Sequence, residues 1–199
     1  MIKNAALITL LGFTIISCEE CMCESYNEDH PINDWSLFPE EKGYTFSGTT
    51  AAEDLNFVFN QGYKTDKSYL LRQGGCRDYC DQRYIYSLRS EEIKKTLECQ
   101  LFISDYDEYK GSVTYVAGYD SENFRVVDGS LFPTNANGTS QFSAAVKSSV
   151  SIDGTSYSDV VEIVRTTPVT GEVFDTLWVK KHEGLIGFTF NAVPYKRTN

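Results

Sequence analysis

Hydrophobic and polar residues alternate along much of the chain after Trp35, with a period of two. Leu55, Phe57 and Phe59 alternate with the residues between them in one segment. In a second segment, the alternation puts Tyr84, Tyr86 and Leu88 on one side. A period of two places successive side chains on opposite faces of a β-strand. These segments therefore predict strands with one buried face.

Turn-forming residues separate the alternating segments. Asp153-Gly154 is a strong signal for a two-residue hairpin, and His182-Glu183-Gly184 predicts a three-residue turn. Polar, glycine-containing stretches at Gln61–Gly75 and Asp128–Thr139 predict loops, and Ser90 is positioned to cap a single helical turn. The final four predicted strands form a meander: Gln141–Ile152, Ser156–Arg165, Val173–Lys181 and Leu185–Phe190.

Short strands with frequent turns and no long amphipathic helix favour an all-β, antiparallel fold. Aromatic residues make up 14% of the chain, which suits packing on a pleated surface. We predict an antiparallel curved sheet or incomplete barrel, and a two-sheet β-sandwich is the alternative.

The first residues have the pattern of an export signal. Lys3 precedes an apolar run over residues 5–16, and Ser17 and Cys18 follow. The run is shorter than the roughly 20 residues of a membrane span. A cysteine at this place resembles the lipobox of bacterial lipoproteins, which implies cleavage before Cys18 and a diacylglycerol on its thiol. The alternative is an ordinary secretory signal in which Cys18 is an incidental thiol.

This resemblance divides the chain into a signal peptide (1–17), an acidic tether (18–34) and one antiparallel β domain (35–199). Acids follow the candidate anchor directly, beginning with Glu19, Glu20 and Glu24. They resemble the surface-export signals of Bacteroidota-type lipoproteins. That resemblance implies attachment to the outer membrane, at its periplasmic or cell-surface face.

A second resemblance lies in the predicted meander. The segments Ile152–Val161, Trp178–Lys181 and Glu183–Phe188 resemble the closing hairpins of many uncharacterised Bacteroidota lipoproteins. The shared features are turns and packing positions, so this resemblance implies a fold and no catalytic residue.

The net charge restricts the partners. The full chain has 18 basic and 28 acidic residues, and removal of residues 1–17 takes away only Lys3. The mature chain then has 17 basic residues against 28 acidic ones, a net charge of −11. Such a surface repels phosphates, so we expect no nucleic acid partner. The same surface is repelled by anionic lipid, so we expect membrane attachment through the acyl chains of the lipid anchor and not through a basic patch.

Five cysteines remain if Cys18 is acylated. An exported protein can form disulfides, and we predict a bridge from Cys76 or Cys80 to Cys99. The other two, at positions 21 and 23, lie in the predicted tether. A zinc site using positions 21, 23, 76 and 80 is a weaker alternative, because the spacing matches no standard zinc pattern.

Candidate catalytic groups do not form a recognisable motif. His30 and His182 have no evident partner in the sequence, and we predict no cofactor and no metal. A calcium loop at Asp105 and Asp107 is disfavoured because Tyr109 follows where a further oxygen ligand is needed. Six acids could in principle supply the catalytic carboxylate pair of a glycosidase: Asp81, Asp105, Asp107, Glu108, Glu162 and Glu183.

Two functions remain as hypotheses. The first is a cell-envelope lipoprotein that binds or scaffolds without catalysis, with a glycan or an envelope protein as partner. The second is a glycan-directed hydrolase that uses a carboxylate pair. An aromatic-lined cleft containing two of the candidate acids favours the second hypothesis, whereas acids scattered over a convex surface favour the first.

Overall fold

The computed structural model describes residues 28–49, 54–70, 78–104, 111–118, 120–127, 130–133, 142–167 and 170–199. In these ranges one short 3-10 helix, Pro31–Trp35, precedes twelve strands. The strands are β1 (Tyr44–Gly48), β2 (Leu55–Leu70), β3 (Asp78–Ser90), β4 (Lys95–Ser104), β5 (Gly111–Ala117), β6 (Asp120–Val127), β7 (Ser130–Pro133), β8 (Phe142–Ile152), β9 (Thr155–Arg165), β10 (Phe174–Lys180), β11 (Gly184–Phe190) and β12 (Val193–Arg197).

The described strands form one antiparallel sheet. Its hydrogen-bonded order is β7-β6-β5-β4-β3-β2-β1-β12-β11-β10-β9-β8. The first and last strands therefore pair in the interior of the sheet, with Phe46 opposite Arg197, while β7 and β8 lie at its two edges. The predicted fold class is confirmed as an antiparallel curved sheet. The alternative of two separate sheets does not form, because hydrogen bonding continues without a break from β7 to β8.

The sheet curves around one hydrophobic core. Phe46, Phe57 and Phe188 contact each other across β1, β2 and β11, with ring centroids 4.9 to 5.8 Å apart. The same core continues through β4 and β5, where Leu101 and Tyr115 are buried. Aromatic pairs at these separations add about 0.5–1.5 kcal/mol each beyond their burial. We call the side of the sheet that faces this core the inner face.

Residues 31–38, which we call the strap, cross the inner face. Pro31 occupies the first position of the 3-10 helix, and the His30 Nδ1 accepts a hydrogen bond from the Ile32 backbone N–H (3.2 Å). Ile32 and Leu37 are fully buried. The Tyr115 hydroxyl donates to the Trp35 carbonyl (2.7 Å). The strap thus fills the interior of the curved sheet. Residues 31–34, which the sequence analysis placed in the tether, take part in this packing.

Asp34 and Leu37 of the strap lie against the turn between β10 and β11. The backbone N–H of His182 donates to the Asp34 carbonyl, and that of Leu185 donates to the Leu37 carbonyl, both at 2.7 Å. Gly184 has a φ of +76° and an added Cβ there would lie 2.3 Å from the Leu37 oxygen. The backbones approach so closely that the position requires glycine.

The outer face has a smaller cluster of its own. The hairpin joining β8 and β9 packs over the sheet, where Ile152 and Val160 contact Trp178 and Ile186. Strand β11 is therefore buried on both faces, except at Thr189. Asp153 and Gly154 form the predicted hairpin turn, with φ values of 47° and 70°.

Three local predictions were wrong. Residues 61–70, predicted as loop, extend β2 and pair with β3 as far as Leu70 opposite Asp78. Ser90 does not cap a helical turn but pairs with Lys95 across a hairpin. The predicted loop after residue 128 contains β7. In each case pairing with a neighbouring strand overrides the local polar composition. Residues 71–75 of the first loop lie outside the described residues.

Candidate functional site

A cleft of about 240 Å³ lies between the first described residues and strands β3 and β4. Its wall combines apolar rings with carboxylates and neutral polar groups. The lining residues are Glu28, Asn33, Ser36, Phe38, Pro39, Glu41, Tyr84 and Leu101. Half of these eight residues are polar or charged, and the other half supply apolar or aromatic surface.

Tyr84 and Glu41 form the polar side of the cleft. The half-buried Tyr84 donates a hydrogen bond from its hydroxyl to Glu41 Oε1. Burial raises the pKa of Tyr84, and the nearby carboxylates of Glu41 and Glu28 raise it further. The hydroxyl therefore stays protonated over the physiological range and holds the Glu41 carboxylate at the cleft.

Asn33 and Phe38 form the side of the cleft that belongs to the strap. Asn33 Nδ2 donates to the backbone carbonyl of Glu28 (2.8 Å), and this hydrogen bond holds Glu28 at the rim. Phe38 is buried and packs edge-on against Tyr86, with centroids 6.1 Å apart. The rim is thus acidic, and the wall behind it is aromatic.

The floor of the cleft is a buried hydrogen-bond network. Ser36 Oγ donates to the Phe38 carbonyl (2.9 Å) and contacts the Tyr86 hydroxyl. The Tyr86 hydroxyl also accepts from the Phe38 backbone N–H (3.3 Å). Burial raises the pKa of Tyr86 well above its usual value. A protonated phenol cannot accept the serine proton, so Tyr86 cannot act as a general base for Ser36.

Cys99 lies beneath this network, fully buried and free. Burial raises the pKa of its thiol to about 12, although hydrogen bonds from Tyr86 and from the Leu37 backbone favour the thiolate. The thiol is therefore neutral and unreactive in the folded protein.

The predicted bridge from Cys76 or Cys80 to Cys99 is not present, because Cys99 is a free thiol. Strand register explains why Cys80 cannot reach it. Cys99 lies opposite Tyr86 on β3, and Cys80 precedes Tyr86 by six residues, or about 20 Å along the strand. A disulfide needs Cα atoms within about 7 Å. Cys76 and the candidate anchor Cys18 lie outside the described residues.

Two of the six candidate acids, Glu162 and Glu183, have side chains that the structure describes, and neither lines the cleft. Glu162 accepts from Trp178 Nε1 (3.1 Å) and pairs with Lys147 (3.2 Å), and Glu183 pairs with Lys180. Asp81 lies on β3, and nothing is described of its side chain. Asp105, Asp107 and Glu108 fall outside the described residues, as does the calcium site considered there.

The histidines and metal ligands give no further site. His182 Nδ1 lies 3.0 Å from Asp34 Oδ1, a partner that the sequence did not indicate. Across the ranges that the structure describes, His, Cys, Asp and Glu form no group of three suited to a metal ion. No helix among the same residues has the length and hydropathy of a membrane span.

The sequence analysis placed Tyr84 correctly on the same face as Tyr86, but it missed Glu28 and Glu41. Both acids precede the sheet in the sequence and resemble ordinary linker residues. Only the return of the strap across the inner face brings them to Tyr84. The chain matches no known family model, no curated protein and no solved structure.

Proposed function

We propose that this protein is a lipid-anchored cell-envelope binding module without catalytic activity. The observation that carries the binding role is the cleft, in which Tyr84 and Phe38 form aromatic walls beside two carboxylates. Of the two nucleophilic side chains there, Ser36 lines the cleft but donates its hydrogen to the Phe38 carbonyl, and Cys99 is fully buried as a neutral thiol. This arrangement suits recognition of a ligand better than its chemical conversion.

The proposed location depends on the N-terminal sequence. Lys3, the apolar run and Ser17 precede Cys18, where the resemblance to bacterial lipoproteins places the acyl chains. The acidic segment that follows would separate the β domain from the bilayer. We propose attachment to the outer membrane on this basis.

Replacement of the anchor cysteine tests the location. We expect Cys18→Ala to move the protein from the membrane fraction to the soluble fraction, and mass spectrometry of the wild-type N-terminus to show acyl chains on residue 18. Cys21→Ala is the matched control and should remain in the membrane fraction. An unacylated wild-type N-terminus would refute the proposed anchor.

Incubation with soluble fragments of envelope glycans separates binding from hydrolysis. A ligand at 100 times its Kd stabilises the folded state by about 2.7 kcal/mol, which a thermal melt detects readily. We expect stabilisation by a ligand without its consumption. The appearance of new reducing ends would instead support the hydrolase alternative. Of the candidate acids for that reaction, Glu162 and Glu183 are each paired with a lysine.

A further inference from the structure

We propose that the outer edge of strand β8 pairs with β8 of a second copy of this chain, so that the two sheets join across a two-fold axis. β8 and β7 are the two edge strands of the described sheet. An edge strand presents unpaired backbone N–H and C=O groups, which another extended strand can bind. This inference concerns a different surface from the cleft and does not depend on the lipid anchor.

The two edges differ in how well they are protected against such pairing. β7 has four residues and ends in Pro133, and both its short length and its proline oppose the addition of a strand. β8 has 11 residues and contains neither proline nor glycine. It also contains no acidic residue, although the chain has 28. β8 is therefore the edge to which a strand can be added, and two acidic copies repel each other least there.

The register of the β8–β9 hairpin shows which backbone groups face outward. The turn has two residues, so the flanking pair, Ile152 and Thr155, exchanges backbone hydrogen bonds. Hydrogen-bonded and non-hydrogen-bonded pairs then alternate along the ladder, whose register is constant along β8. The odd-numbered residues of β8 therefore direct their N–H and C=O groups away from β9. The side chains of these residues, from Ser143 to Ser151, are all exposed.

Val146 favours a second copy of β8 as the added strand. Its side chain is 67% exposed, and among the described residues only Val58, at 62%, is another large hydrophobic side chain of this kind. In an antiparallel pair centred on Val146, this residue lies opposite its own copy across the two-fold axis. The two form a non-hydrogen-bonded pair, in which the side chains approach most closely. Each valine then covers the other.

The neighbouring residues fit the same register. Ala145 lies opposite Lys147 of the second copy, and Ser143 lies opposite Ser149, so that about eight backbone hydrogen bonds form with no like charges opposed. The Lys147 side chain points to the other face of the sheet, where its Nζ lies 3.2 Å from Glu162 Oε1. A pair centred on Lys147 would instead place two lysines opposite each other. The segment 143–149 is thus complementary to itself when Val146 lies on the axis.

Cysteine cross-linking of the full chain, in mild detergent, tests the pairing and its register. Val146→Cys should form a disulfide-linked homodimer under mild oxidation, because the two cysteines meet at the axis. Val58→Cys is a control of similar exposure on another strand. Ser151→Cys is a control on β8 itself, where the two copies lie about 33 Å apart in this register. Both controls should stay at the wild-type background, and equal cross-linking of all three variants would overturn the inference.

Sedimentation equilibrium of the full chain measures the affinity of the dimer. Val146→Lys removes the valine contact and places like charges opposite each other, so it should raise the dimer Kd at least about tenfold. Val58→Lys makes the same change away from β8 and should alter the Kd less than about twofold. Equal effects of the two variants would refute the interface, as would a wild-type chain that stays monomeric throughout the concentration series.

Cross-linking in oxidised cells identifies the occupant of the edge. We expect Val146→Cys to yield the homodimer there as well. Adducts with a different protein, in the absence of the homodimer, would show that β8 pairs with a foreign strand and would overturn the proposal of a second copy. Either result leaves the proposed lipid anchor and ligand binding untouched, because these are tested separately at Cys18 and by thermal melts.

Discussion

Tyr84 and Tyr86 lie two residues apart on the inner face of β3, with ring centroids separated by 5.0 Å. Tyr86 is fully buried, and its hydroxyl joins Ser36 and Cys99 in an internal network. Tyr84 is half-buried, and its hydroxyl holds Glu41 at the cleft. One strand thus supplies both a buried structural phenol and a half-buried phenol at the cleft.

The strap accounts for this difference. Ser36 and Phe38 contact Tyr86 and cover it, whereas Tyr84 lies at the cleft and stays half-buried. Burial keeps the Cys99 thiol neutral, while the carboxylates of Glu28 and Glu41, just outside the strap, stay at the surface. The position of a group relative to the strap therefore decides whether it stabilises the fold or is available to a ligand.

Displacing the strap should have the largest effect. Gly184→Ala places a Cβ 2.3 Å from the Leu37 carbonyl oxygen in addition to a strained positive φ. We expect a loss of about 3 kcal/mol or more in the free energy of unfolding, measured by urea denaturation. Tyr86 should then become as accessible as Tyr84.

Gly154→Ala is the control for the strap variant. Gly154 has a similar φ of +70°, but an added Cβ there meets no atom within 4 Å. It should cost only the backbone strain, about 1–2 kcal/mol. Equal losses for the two variants would mean that the close approach to Leu37 contributes nothing.

The two tyrosines themselves provide the next test. Tyr86→Phe removes the hydroxyl that bonds Ser36 Oγ and the Phe38 N–H. These two buried polar groups then lose a hydrogen-bond partner. We expect a cost of about 1–3 kcal/mol. Tyr84→Phe removes the hydroxyl bonded to Glu41, which water can replace, and should cost about 0.5 kcal/mol. A larger loss for Tyr84→Phe in chemical denaturation would reverse the assignment of the two roles.

The same residues show which features could be predicted from the sequence alone. Alternation over residues 84–88 predicted that Tyr84 and Tyr86 share a face, and Asp153-Gly154 predicted its hairpin, because both depend on local geometry. The covering of Tyr86 depends on contacts between residues about 50 positions apart, such as Ser36 with Tyr86. No local period encodes that contact.

The cysteine prediction failed for the same physical reason. Compartment and cysteine count indicate that a bridge is permitted, but strand register decides which thiols meet, and register is set by the packing of the buried face and by the turn between the strands. The prediction used only the fact that these cysteines lie in one folded stretch of the sequence. The pairing of β3 with β4 puts Tyr86 opposite Cys99 and leaves Cys80 six residues further along β3.

The effect of Cys99 on stability should depend on pH. Burial holds its thiol pKa at about 12 in the folded chain, against a usual value of 9.0. Between these pH values the unfolded chain loses a proton that the folded chain keeps, so stability should fall as pH rises. The slope for one such group is about 1.4 kcal/mol per pH unit. Below pH 9 both states keep the proton, and the thiol should add no pH dependence.

Urea denaturation of wild type and Cys99→Ala under reducing conditions, from pH 8 to 11, isolates this group. The variant loses packing at every pH, but its stability should fall less steeply above pH 9, because Tyr86 and Tyr115 still contribute to both curves. Parallel curves would indicate that the Cys99 thiol ionises as readily in the folded chain as in the unfolded one. In that case the thiol would be open to solvent, and cover by the strap would no longer explain why Tyr86 is buried and Tyr84 is only half-buried.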